Sequence, residues 1–359
     1  MTWMLPWGAR RTPRKEGQAT TGNLSNVSNS VRTAPVAVRR VVILAAGGTI
    51  GMTGKAGATP KLDAEELRNA IPALADRTDV DARTLITVPS AHLTLDDQLM
   101  ICRAARDAAR RGIGVVVTHG TDTLEETAML SDVIHDADAP IVFTGAIRTA
   151  SAPGADGPAN IVDAVSVASS AAAQGMGTLV VFGGEIHHAR CARKTDTTSL
   201  TAFSSPQTGL LGRVTEGHPT IWARLPRNPA VDPVRLAHRV PVVPTSSGDD
   251  GTFARAILET NPEGAIIGTL GAGHLAPPVM EMWAEAATRI PVVAYCRPER
   301  GVILNGTYGY AGSEQDLRVS EIMPAGFLSP QAARMKLLAC LGAGLDREAI
   351  AARFALDDG

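Results

Sequence analysis

The 359-residue chain predicts an α/β protein of two domains: a larger N-terminal domain with a mostly parallel sheet and a smaller, flavodoxin-like C-terminal domain. Three observations carry this. Short runs that are β-branched and apolar almost throughout alternate with amphipathic stretches, as strands buried on both faces alternate with the helices that cover them. One proline-rich stretch interrupts the alternation, which then resumes. The length fits about two domains at roughly 100–200 residues each.

Taken in order, residues 1–40 are rich in Ser, Asn, Thr, Gly and Arg and show no apolar periodicity. Arg10, Arg11, Arg14, Lys15, Arg32, Arg39 and Arg40 face a single acid, Glu16, so the segment reads as a disordered basic tail. From Val41, strands are expected at VVILAA (41–46), LITV (85–88), GVVVTH (114–119), PIVFTG (140–145) and TLVVFGG (178–184). Helices are expected from DAEELRNAIPAL, LDDQLMICRAARDAARRG and LEETAMLSDVIHDA. These make a domain over 41–226. Clustered prolines in PRNPAVDPVRLAHRVPVVPTS mark a linker at 227–245. The second domain, 246–359, holds FARAILETN, GAIIGTLGAG, VMEMWAEAA and PVVAYC, then a glycine-rich loop from Gly301 and a closing helix, SPQAARMKLLACLGAG.

Composition narrows the function. With 34 Lys+Arg against 36 Asp+Glu, 45% hydrophobic and 19% charged residues, the chain is neither broadly disordered nor collagen-like, and its body is not a basic nucleic-acid scaffold. Only 13 residues are aromatic, and all three tyrosines, Tyr295, Tyr308 and Tyr310, fall in the last fifth. Cys102, Cys191, Cys296 and Cys340 show no CxxC spacing, which speaks against a structural zinc site or disulfide framework and for a reducing compartment. No run approaches the 18 or so apolar residues of a membrane span. In the opening MTWMLPWGA the arginines follow the apolar stretch rather than precede it, unlike a secretory signal. A cytoplasmic protein with no membrane or nucleic-acid partner is expected.

In such folds ligands collect beyond the C-terminal ends of the strands. After the first strand comes Gly47-Gly48-Thr49-Ile50, a sharp turn that presents one hydroxyl. After the strand at 114–119 comes Gly120-Thr121-Asp122-Thr123, leading into LEETAML. Thr123 and Glu126 have capping-box spacing, yet one cap suffices for a helix, and this turn carries a surplus of hydroxyls with a carboxylate and an imidazole.

Four blocks, AAGGTIGMT, THGTDTLEETA, TGAIRTASAPGADGPAN and ARKTDTTSLTAF, resemble in order and spacing the signatures of the L-asparaginase/glutaminase family of bacterial type. The resemblance runs from about Val41 to near Leu345. It implies hydrolysis of L-asparagine to L-aspartate and ammonia through an acyl-threonine, with glutamine a poorer substrate and no metal or cofactor. It further implies Thr49 as nucleophile, Thr121 and Asp122 beside it, and Lys194 as base partner. A threonine hydroxyl is a poor nucleophile at neutral pH and needs such a base; burial would lower the lysine pKa while Asp122 would raise it. Asp122 would also pair with the substrate α-ammonium, Ser90 in VPSAHLT would bind the α-carboxylate, and Gly48, Ala91 and Ala146 would line the pocket. A homodimer or dimer of dimers is implied, with the site at an interface.

The chain departs from the family in three places. The lid region GMTGKAGATPKLDAEEL lacks the activating tyrosine of some relatives, Ala91 stands where Gln is frequent, and a GNG-like element reads Gly271-Ala272-Gly273. The loop GVILNGTYGYAGSEQDL resembles one that reaches a neighbouring subunit, so Tyr308, or secondarily Tyr310, is expected to supply the phenol, with Glu314 nearby. Other readings are an amidase subunit acting on charged tRNA and a non-catalytic amino-acid-binding protein. Gly271 to Ala276 also fits GxGxxA with Glu299 beyond the next strand, a weak dinucleotide signal against which the helix opening Pro277-Pro278 counts. His187 and His188 with Cys191 form a weak metal signal, because adjacent strand residues point to opposite faces.

Overall fold

The structure is a computed structural model that describes residues 40–48, 50, 52–53, 59–60, 63–75 and 79–358. The tail at 1–40 lies outside them except for Arg40, which pairs with Asp81 at 2.8 Å.

Along the chain run β1 (Val41–Ala46), the small hairpin β2 (Met52–Thr53) and β3 (Thr59–Pro60), α1 (Ala64–Asn69), α2 (Pro72–Ala75), β4 (Val80–Thr84) and α3 (Leu95–Arg110). Then follow β5 (Gly114–His119), α4 (Leu124–Ile134), β6 (Ile141–Thr144), α5 (Gly157–Ser169), β7 (Thr178–Phe182) and β8 (Glu185–His188). A second hairpin, β9 (Arg193–Lys194) with β10 (Phe203–Ser204), precedes β11 (Gly212–Thr215) and β12 (His218–Ile221). The rest comprises β13 (Val242–Val243), α6 (Thr252–Glu259), β14 (Ala265–Thr269), α7 (Pro277–Ala287), β15 (Val292–Cys296), α8 (Glu314–Val319), β16 (Met323–Pro324), α9 (Pro330–Gly342) and α10 (Arg347–Ala355).

The larger sheet has the order β12-β11-β8-β7-β6-β5-β1-β4. Its strands from β4 to β7 pair in parallel, and β8, β11 and β12 add an antiparallel meander at one edge. The smaller sheet, β13-β14-β15-β16, is parallel throughout. Alternate residues of the central strands explain their continuous apolar runs. Val41 and Ile43 pack with α5 residues such as Ile161 and Val165 on one face; Val42 and Leu44 pack with Ile101 and Leu124 of α3 and α4 on the other. A further core joins the two sheet systems: Met129, Leu130 and Ile134 of α4 meet Leu337 and Leu338 of α9, with Ile266 and Val293 beneath.

Some expectations shift. The strand placed at 85–88 lies at 80–84, paired Val41↔Val80 through Ala45↔Thr84. It is the sheet edge, half exposed, so it does not need the apolar run that marks an interior strand. The helix expected over 63–74 breaks into α1 and α2 at Pro72, which cannot donate its missing N–H. The hairpin β9–β10 and the meander are short polar strands that periodicity missed, and α10 follows the helix taken as closing. Pro277 and Pro278 open α7 rather than oppose it, because the first-turn N–H groups they lack have no partner within a helix.

Candidate active site

The turns beyond β1, β5 and β6 converge, and glycines permit it. Gly48 has φ +88°, and a Cβ there would lie 2.4 Å from the backbone nitrogen of Gly120. A Cβ on Gly120 would lie 2.5 Å from Ser90 Oγ, and one on Gly145 would lie 2.6 Å from the His119 carbonyl oxygen and 3.3 Å from Thr121 Cγ2. Gly48, Ser90, Thr121 and the TGAIR turn are therefore one cluster at the strand tips. Residue 49 lies outside the described residues, but both its neighbours belong here. Gly48 abuts Gly120, while Ile50 and Ala146 both pack against Gly157. Ala91 is exposed on the 3-10 turn that carries the buried Ser90.

Side chains lock the cluster. The Thr123 hydroxyl donates to the Ser90 carbonyl, 3.1 Å, so the expected capping box with Glu126 is not formed and the threonine joins two loops instead. Asp156 accepts from the backbone N–H of Ile147 and Arg148, and the Asn160 amide donates to the Gly145 carbonyl. Sequence reasoning did not single out Asp156 and Asn160, although their i, i+4 spacing in GADGPAN puts both on one face of the start of α5.

Lys194 arrives from β9. Its Nζ donates to Thr121 Oγ1 at 2.9 Å and to Asp122 Oδ1 at 2.7 Å. Its backbone N–H donates to Glu125 in the first turn of α4, which fixes the hairpin to the same turn. Burial pushes the Glu125 carboxyl up, against the hydrogen bond from Lys194. Thr121 is buried, whereas the Asp122 side chain is 67% exposed. A cavity of about 340 Å³ opens here, lined by Asp122, Glu125, Lys194, Thr195, Asp196 and Thr197. His119, directly before the turn, donates to the Gly120 carbonyl, and burial lowers its pKa to about 4, so it is neutral at pH 7. A larger groove, about 620 Å³, lies between β16 and α10 and holds no such constellation.

A buried hydroxyl, a lysine and a carboxylate at the tips of parallel strands can activate a nucleophile, and comparison with known proteins assigns this arrangement. Residues 40–227 match the family model "Asparaginase, N-terminal", and residues 239–354 match "Glutaminase/Asparaginase C-terminal domain". The chain belongs to the asparaginase family. It is 36% identical to a probable L-asparaginase of Deinococcus radiodurans, over 88% of this chain and 97% of that protein. It is 29% identical to L-asparaginase 2 of Bacillus subtilis, over 97% and 94% of the two chains. Its fold matches the crystal structure of a probable cytoplasmic L-asparaginase from Campylobacter jejuni with a TM-score of 0.77, at 28% identity, over 88% of this chain and 99% of that one.

In this asparaginase the expected phenols sit apart from the trio. Tyr308 and Tyr310 do not line the cavity beside Lys194; their rings pack on each other and on His274, and they are 43% and 52% exposed. Glu314 is fully buried beneath them. The lid region has described residues only in β2, β3 and the start of α1. The Gly271-Ala272-Gly273 element serves packing, since a Cβ on Gly273 would lie 2.8 Å from Ile303 and 3.1 Å from Glu314. His187 Nδ1 bonds Ser205 Oγ, and His188 Nδ1 accepts from the Arg190 backbone N–H. Among the described residues no three His, Cys, Asp or Glu side chains are grouped to hold a metal.

Proposed function

We propose that this asparaginase hydrolyses L-asparagine to L-aspartate and ammonia through an acyl-enzyme on Thr49. The observation that carries it is the Lys194 ammonium group within hydrogen-bond reach of both Thr121 and Asp122, on the turn that Gly48 abuts. Thr49 Oγ attacks the side-chain amide carbon, and its proton passes into the Thr121 and Lys194 pair. The tetrahedral oxyanion is met by backbone N–H groups of the converging turns. Collapse breaks the C–N bond, the leaving nitrogen takes a proton and departs as ammonia, and water then attacks the acyl-threonine to release aspartate and restore the hydroxyl.

Asp122, which engages Lys194 through Oδ1, offers Oδ2 to the substrate α-ammonium. Ser90 takes the α-carboxylate, while Gly48, Ala91 and Ala146 line the pocket. Glutamine fits less well, since an extra methylene changes binding by only about 1–3 kcal/mol. The exposed Tyr308 reaches the site of another copy of this chain, in a homodimer or dimer of dimers. Two domains, 41–226 and 246–359, joined by 227–245, share the core between α4 and α9. Likeness to a probable cytoplasmic enzyme and four free cysteines favour the cytoplasm. No helix among the described residues is long and apolar enough to cross a membrane. No observation favours a charged-tRNA amidase or a non-catalytic binder.

Ammonia release from L-asparagine and L-glutamine, with Thr49→Ala as control, tests the reading. Release from asparagine that Thr49→Ala abolishes is expected; undiminished release by that variant would refute the assignment of the nucleophile.

A further inference from the structure

A carboxylate, an imidazole and two phenol rings pack together at one end of the smaller sheet, outside the trio at Lys194. Glu314 begins α8 and is fully buried. Its Oε1 accepts from the backbone N–H groups of Thr307 and Tyr308, each at 2.6 Å. Its Oε2 has no hydrogen-bond partner among the described residues and lies 3.3 Å from His274 Nε2, which is likewise buried and unpartnered. Gly273, at φ +119°, lets the two backbones approach this closely. The His274 ring stands edge-on to Tyr308, with centroids 4.9 Å apart at 86°, and to Tyr310, 5.4 Å apart at 63°.

Taking a carboxylate wholly out of water is costly unless hydrogen bonds and a facing charge offset it. Here two peptide N–H groups offset it on one oxygen and an imidazole faces the other. The outcome is a loop whose backbone is fixed at Tyr308 while its two aromatic rings stay about half exposed. Large, rigid aromatics held at the surface by a buried ionisable pair are arranged to meet something outside their own chain.

We propose that Glu314 and His274 are positioning residues for the amide hydrolysis: Glu314 sets the backbone at Thr307 and Tyr308, His274 sets the ring angles, and together they present the Tyr308 phenol to the active site of a second copy of this chain. This rests on the role given to Tyr308 under the proposed function.

The test is a mutant cycle on the assembled full-length enzyme, with Glu314→Gln and His274→Gln each made in the native and the Tyr308→Phe backgrounds. Because the chain has only three tyrosines, 3-fluorotyrosine labelling should give three fluorine resonances that report the loop independently of turnover. Glu314→Gln and His274→Gln should each lower kcat roughly tenfold, with a smaller change in KM, and the loss should vanish in the Tyr308→Phe background. His274→Gln, which leaves the backbone bonds of Glu314 in place, should move the Tyr308 and Tyr310 resonances and spare Tyr295. An equal loss of kcat in both backgrounds, or unmoved resonances, would overturn the positioning role. If Tyr308→Phe alone costs activity while the resonances stay put, the phenol reading stands and the positioning pair falls. If the resonances move but Tyr308→Phe is silent, the phenol reading falls and the pair only packs the loop.

Discussion

Lys194 Nζ lies 2.9 Å from Thr121 Oγ1, although 73 residues separate them along the chain. The contact exists because β9 and β10 form a two-residue hairpin whose backbone is held by Glu125 of α4. Lys194→Met keeps the stem of the side chain and removes the charge and donor. Activity with asparagine should fall about 10²- to 10⁴-fold in kcat, with KM moved far less. A kcat within threefold of the parent would remove Lys194 from the mechanism.

Gly48 is the tightest point of the turn beside the nucleophile position. Alanine there meets both a positive φ and the backbone of Gly120, which has no flexible end to swing away. Gly48→Ala should lower stability by at least about 1–3 kcal/mol in urea unfolding and abolish most turnover. Native-like stability and activity together would contradict the close approach of the two turns.

If the loop at 301–313 supplies the phenol, Tyr308→Phe should lower kcat by roughly tenfold or more, and Tyr310→Phe should do so less. Mixing inactive Lys194→Met subunits with inactive Tyr308→Phe subunits should restore partial activity in hybrids if the phenol comes from a neighbour. Hybrids as inactive as either parent would place the phenol within its own chain.

Burial lowers the His187 pKa from 6.5 to about 4, so the folded protein holds it neutral while the unfolded chain protonates it below about pH 6.5. Its contribution to stability is intact above that pH and is lost as the pH falls toward 4, amounting to roughly 2 kcal/mol at pH 5. His187→Gln should flatten the decline of the urea midpoint between pH 6.5 and 4.5. An unchanged slope would show that this histidine does not couple to acid unfolding.

Asp357, close to the C-terminal end and fully buried, accepts from Arg190 Nη1 at 3.0 Å and also bonds Lys336 and Asn228. It ties the end of β8 to α9. Asp357→Ala leaves two buried cations without their counter-charge and should cost about 3–5 kcal/mol. A loss under about 1 kcal/mol by denaturant titration would show that the cations relax to other partners.

Most of the fold was legible where burial is two-sided. The runs at 41–46 and 114–119 coincide with β1 and β5, because a strand covered on both faces has to be apolar at every position. The edge strand β4 and the hairpin β9–β10 were not legible, since one-sided or two-residue strands leave no such pattern.

The sequence by itself determined the family, the α/β alternation and which turns hold chemistry, because motifs, turn glycines and apolar runs are local properties of the chain. Only the tertiary structure decided that Lys194 reaches Thr121, that Thr123 binds Ser90 rather than capping α4, and that Glu314 and His274 meet beneath the tyrosines. These contacts join residues from different turns and strands, and packing fixes their geometry to tenths of an ångström that no local pattern encodes.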